Sequence, residues 1–155
     1  MLRQALGHIE HIWRQNDSEG LQEFLSDPRN AELPSSSHYE LAKSLAKQDP
    51  IHALEWAATL SERQSVNVSA IAFESWLERR SADAAEWFGR LTTDDARHTA
   101  LLRSIIRYAR DHPQDQTLLT TLSTADREHA LRELESLGMP EERSRRLRGL
   151  LGEQR

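Results

Sequence analysis

The chain contains no cysteine, which removes disulfides, thiolate nucleophiles and cysteine-based zinc sites. Glycine is sparse, with six in 155 residues. No glycine-rich phosphate loop, nucleophile motif or metal-ligand spacing is present, so nothing in the sequence points to an enzyme or to a bound cofactor. No apolar run approaches the ~20 residues that a membrane-spanning helix needs. The first ten residues, MLRQALGHIE, lack the apolar segment of a secretory signal; with Met1 as the natural start, the expected location is the cytoplasm. Neither sign of charge dominates. Twenty basic and 25 acidic residues give a net charge of −5, which provides no global attraction to nucleic acid or to an anionic membrane.

What is present is a charged, helix-forming composition with enough length to bury a core without staples. Its main feature is an internal repeat. Trp56, Trp87 and Leu118 are spaced by 31 residues, and so are Leu60, Leu91 and Leu122. The residue after each leucine is Ser61, Thr92 or Ser123, and three positions later come Gln64, Asp95 and Asp126. Ser/Thr-x-x-Gln/Asp is close to the capping box that opens a helix, because the hydroxyl accepts a bond from an orphan N–H of the first turn. Upstream of each junction, Ala53, Trp56, Ala57 and Leu60 follow helical spacing, and Ala84, Trp87, Phe88 and Leu91 repeat it. Leu118, Leu119 and Leu122 form the third copy, in which Asp115 replaces the small residue. The intervening helices repeat with a slip of one residue: Leu41, Phe73 and Ile105 are spaced by 32, as are Leu45, Leu77 and Ala109. Pro50 and Pro113 suit the first turn of a helix, and Ser81 holds the matching place in the middle copy.

These patterns predict an all-α protein: about ten helices in antiparallel hairpins, stacked right-handedly as a short α-solenoid. The expected helices are 2–15, 18–26, 38–48, 50–60, 62–80, 82–91, 93–111, 113–122, 124–137 and 140–152. They form one domain over 1–155, with a degenerate hairpin at 1–36, three repeats at 37–131 and a C-terminal cap at 132–155. Residues 27–37 read as the linker, and Gly138 as a helix C-cap.

Candidate sites are few. His8 and His11 lie one turn apart, but a zinc site needs further ligands that the sequence does not supply. His98 and His129 sit 31 residues apart and read as repeat echoes. Arg103, Arg107 and Arg110 share one face of a helix whose other side carries Leu102, Ile105, Ile106 and Ala109. A solvated charged face is the default for such a stripe, and planar guanidinium forks also suit an acidic partner. Arg143, Arg145, Arg146 and Arg148 follow Glu141 and Glu142, a charge order that suits the helix dipole. Trp56 and Trp87 are expected in the core. Trp76 aligns with Ser44 and Tyr108 and is expected at the rim of the buried stripe. The partner-binding face is therefore assigned to Trp76, Arg103, Arg107, Tyr108 and Arg110, since aromatic and arginine residues are enriched in binding hot spots.

The string Leu45-Ala-Lys-Gln-Asp49-Pro50-Ile-His-Ala53-Leu-Glu-Trp56-Ala-Ala-Thr-Leu60 resembles bacterial helical repeats of the form W/L-A-x-x-D-P-x-x-A-x-x-W-x-x-x-L. In layout these resemble tetratricopeptide and HEAT-type arrays. The likeness covers residues 38–131, and the Asp-Pro pair becomes Arg80-Ser81 and then His112-Pro113. The tetratricopeptide signature is absent, and the period is shorter than in that family. The resemblance implies a scaffold that binds a protein or peptide. A nucleic-acid-binding helical repeat and an accessory helical domain of a larger enzyme stand as alternatives; the net acidity argues against the first.

Overall fold

The computed structural model describes residue 13 and residues 17–30, 33, 35–91 and 96–152. Among the described residues all regular structure is helical. The α-helices are α1 (Ser18–Ser26), α2 (Ser35–Gln48), α3 (Pro50–Ala58), α4 (Glu62–Gly89), α5 (Ala96–Asp111), α6 (Thr124–Ser136) and α7 (Glu141–Leu150). Two 3-10 segments, Pro28–Asn30 and Pro113–Thr121, complete them. The expected first helix, with His8 and His11, falls almost wholly outside the described residues, as does the junction at Thr92 and Asp95.

The chain divides into two compact units, Met1–Ala72 and Phe73–Arg155, and the run α4 spans the division. In the first unit, α1 packs on α2 and α2 on α3. Leu21, Leu25, Leu41, Leu45, Ala53 and Ala57 are buried there. Trp56 is buried too, and its Nε1 donates to Ser26 Oγ at 3.0 Å, so the indole enters the core with its polar atom satisfied. In the second unit, α5 packs on α6 and on the segment Pro113–Thr121, which also meets α7. Phe73, Leu77, Phe88, Ile105, Ile106 and Leu119 form its centre. The aligned sets Leu41, Phe73, Ile105 and Ala57, Phe88, Leu119 are all fully enclosed, each within its own unit. A stripe of apolar residues at helical spacing thus does in each copy what such a stripe must do, which is to leave water.

The connections are very short, and one backbone device recurs in them. Asp49, alone between α2 and α3, is extended at φ −142°, ψ 97°. Arg80 interrupts α4 at φ −149°, ψ 69°, so the expected break at 80–81 is present although helix continues on both sides. His112, between α5 and the 3-10 segment, has φ −123°, ψ 79°. These are the three positions that align in the repeat. Each is followed by the residue that the alignment places at the first helical position: Pro50, Ser81 and Pro113. Side chains close several of the open helix starts. Asp17 accepts from Gly20 N at 2.8 Å and Asp49 from His52 N at 3.0 Å. Ser123 accepts from Asp126 N at 3.1 Å, the hydroxyl cap expected from the junction motif, and its hydroxyl also donates to Asp126 Oδ2 at 2.7 Å. Ser61 donates to Gln64 Oε1 at 2.9 Å. Gly138, at φ +58°, ends α6 in the left-handed region that glycine enters without cost.

Three expectations change. The linker is shorter than 27–37, because α2 begins at Ser35. The element at 113–121 is a 3-10 helix. Its residues QDQTLLTT are rich in threonine and lack alanine, a composition that holds an α-helix poorly. The tryptophans also exchange places. Trp76 is buried at 5% exposure, edge-on to Phe73 (86° between rings) and 5.7 Å from Trp87, while Trp87 is only half-buried. Trp76 Nε1 has no hydrogen-bond partner in that setting.

Because Arg80 already holds the backbone that precedes a proline, Ser81→Pro should fit. The gain of about 0.5–1 kcal/mol through the unfolded chain is offset in part by loss of the Ser81 hydrogen bond to Tyr108, so stability should change by less than about 1 kcal/mol. Proline at Ala70, inside α4, should cost about 3 kcal/mol or more. Urea denaturation followed by circular dichroism measures both.

Candidate functional site

Helix α5 organises a cleft that gathers sequence-assigned site residues. Its buried side is Leu101, Leu102, Ile105, Ile106 and Ala109, which turns Arg103, Arg107 and Arg110 away from the core. A cavity of about 210 Å³ lies between α5 and the second-unit part of α4, lined by Arg107, Tyr108, Arg110, Glu74, Glu78 and His112 among others. Three of the five assigned residues thus share one cleft. Arg103 and Trp76 do not line it. Trp76 is inside the core, so its indole offers no exposed rim.

Every guanidinium of the assigned face is engaged within the unit. Arg103 donates from Nε to Glu133 Oε2 at 2.5 Å and from Nη2 to Oε1 at 3.3 Å. Arg107 Nη2 donates to Glu74 Oε1 at 3.0 Å, an oxygen that also accepts from Ser104 Oγ at 3.0 Å. Arg110 makes a two-bond fork to Asp111, at 2.7 and 2.8 Å. The fork holds the Asp111 carboxyl below its ordinary range and raises Arg110. Tyr108 donates to Asp115 Oδ2 at 2.7 Å, and its ring stacks on His112 at 4.0 Å. Burial pushes the Tyr108 phenol up, and the Asp115 hydrogen bond adds to this. His112 completes the cleft, with Nδ1 bonded to the Tyr108 carbonyl at 3.0 Å and Nε2 at 3.4 Å from Glu78.

The arrangement is therefore a set of opposed charges around a stacked Tyr–His pair. It offers donor forks and carboxylates that can be exchanged with those of a partner. Reasoning from sequence missed the acidic half. The signal was there, since Glu74 precedes Ser104 by 30 residues and Arg103 precedes Glu133 by 30, close to the repeat length. The same interval joins Gln22 to His52 and Ser26 to Trp56 in the first unit.

The other candidates resolve into structural roles. His98 Nε2 lies 2.7 Å from Asp126 Oδ1, with both side chains largely buried, so the cap of α6 is tied to α5. His129 faces Glu133 at 3.6 Å, a different partner. Arg145 pairs with Glu141 at 3.6 Å and Arg148 with Glu135 at 3.7 Å. Among the described residues no three His, Asp or Glu side chains are grouped to hold a metal ion, and no helix is long and apolar enough to cross a membrane. The chain matches no family model, no curated protein and no solved structure.

The Arg103 fork lowers the Glu133 carboxyl, with His129 adding a smaller effect and burial opposing both. A folded value below the unfolded one means that the pair stabilises above the ordinary carboxylate range, and that this is lost as pH falls through the folded value. Glu133→Gln should cost about 1 kcal/mol at neutral pH, discounted because Arg103 is half-exposed. The difference from wild type should shrink as pH is lowered from neutral to below the ordinary carboxylate range. Paired urea titrations at the two pH values read it directly.

Proposed function

We infer that the chain is a non-enzymatic protein-interaction module of the helical-repeat type, a short right-handed stack of hairpins akin to bacterial α-solenoid repeats. The observation that carries this is the recurrence of polar ties at an interval of 30 residues, two in each unit: Gln22 to His52 and Ser26 to Trp56, then Glu74 to Ser104 and Arg103 to Glu133. Side chains that meet one repeat length apart are what neighbouring copies of a repeat produce. The recurring non-helical residue at 49, 80 and 112 supports the same reading.

The face that meets the partner is that of α5. Arg107 and Glu74 are both near half exposure, so their pair is weak and open to exchange. Tyr108, stacked and half-buried, is held rigidly beside it, which lowers the entropic cost of contact. An acidic peptide segment is the occupant these groups suit, displacing Glu74 from Arg107 and taking the fork for itself. Arg103 adds charge at the edge, more firmly tied to Glu133.

Selection of a random peptide library on the immobilised protein tests this. Enriched sequences should be acidic, and Arg107→Glu or Tyr108→Ala should weaken their binding by about tenfold. Arg145→Glu, on α7, should leave it unchanged. Binders indifferent to both α5 substitutions would overturn the assignment of the face.

A further inference from the structure

The sequence places four arginines on α7, and the structure divides them. Ser144, Leu147 and Leu151 are buried, so this side of the helix faces the unit. At 3.6 residues per turn, the remaining positions fall on two flanks. One flank carries Glu141, Arg145 and Arg148, and its arginines have partners. Arg145 pairs with Glu141 at 3.6 Å, and Arg148 reaches Glu135 of α6 at 3.7 Å and Ser144 Oγ at 3.3 Å. The other flank carries Arg143, Arg146 and Leu150, at the i, i+3, i+7 spacing of a single face. Arg143 and Arg146 are exposed, and neither forms an ion pair with a described residue. Leu150 beside them is only partly buried.

Arg143 places the second flank beside the end of α5. Helix α7 packs on the segment Pro113–Thr121, which begins one residue beyond Asp111, the last residue of α5. The Asp111 carboxyl is lowered first by the Arg110 fork and then, against burial, by the charges of Arg110, His112 and Arg143. One carboxylate therefore answers two guanidinia and an imidazole. Asp111 spends both oxygens on the Arg110 fork, at 2.7 and 2.8 Å, which leaves the forks of Arg143 and Arg146 open. Asp111 also lines the α5 cleft, so the unanswered positive charge stands next to the groups assigned to the partner. Planar guanidinium forks without a carboxylate are complementary to one brought from outside.

We propose that the Arg143–Arg146–Leu150 flank of α7 continues the partner face of α5 and holds the far end of the same acidic peptide segment, an extension that rests on the acidic partner assigned to α5. The segment meets Arg107 and Tyr108 first, passes Asp111, and brings further carboxylates to the open forks of Arg143 and Arg146. Leu150 gives an apolar residue of the segment a place beside them. Arg145 and Arg148, on the paired flank, take no part.

The test uses the full chain and two fluorescein-labelled peptides, with four and with ten consecutive glutamates between glycine–serine ends. Extended, the two acidic blocks reach about 13 and about 33 Å. Fluorescence anisotropy should show the longer peptide binding about tenfold more tightly, the gain expected from two added exposed ion pairs. Arg143→Gln with Arg146→Gln should remove most of that advantage and leave the shorter peptide within about twofold of wild type. Arg63→Gln with Arg145→Gln removes the same charge elsewhere and should keep the advantage. All four positions are exposed, so circular dichroism should be unchanged in both variants. An advantage that persists without Arg143 and Arg146, or that is lost equally in the control, would overturn the α7 face; the α5 reading would stand if Arg107→Glu still weakens both peptides. Peptides that fail to bind, or that bind indifferently to Arg107→Glu, would overturn the α5 reading and the α7 extension with it.

Discussion

A single residue held out of helical backbone between two helical stretches is the constraint on which the rest of the molecule depends. It occurs at Asp49, Arg80 and His112. Such a residue redirects the chain without a loop, so little entropy is lost in closing one. It also fixes the rotation of the following helix relative to the preceding one, and hence which side chains turn inward. Proline enforces the break after Asp49 and His112, since its ring disfavours the helical region in the residue before it. After Arg80 the following residue is serine, and the break persists. Leu77, Ala84 and Phe88, on either side of it, are buried.

Given those breaks, the apolar stripes meet and polar residues beside them fall opposite partners 30 residues away. Trp56 reaches Ser26, and Arg103 reaches Glu133. Such ties are individually worth little where exposed. Their value lies in register: each is made only when the helices are correctly rotated. The buried contact between His98 and Asp126 does the same for the α6 start, joining the cap Ser123–Asp126 to the preceding helix.

Much of this was legible in the sequence, and the reasons are physical. Helical spacing identified the enclosed columns because burial is a one-face property with a fixed period. The Leu-Ser-x-x-Asp junction announced the α6 cap because orphan N–H groups need an acceptor there. Other features were not legible. Trp76 and Trp87 both fall within the apolar arc, and only the packing of Phe73 decides which indole goes in. The 3-10 form of 113–121 depends on a balance of small propensities that alignment with α3 obscured. The candidate face was found as Trp76, Tyr108 and three arginines, without the carboxylates that hold Arg103 and Arg107, because Glu133 and Glu74 lie on α6 and α4, far along the chain.

Backbone chemical shifts across the whole chain test the central constraint most directly. Cα and carbonyl shifts should be helical from 64 to 79 and again from 82 to 88, with Arg80 displaced to extended values like those of Asp49 and His112. Uninterrupted helical shifts through Arg80 would contradict the account, because the aligned breaks, and the register of side chains built on them, would then be lost in the middle copy.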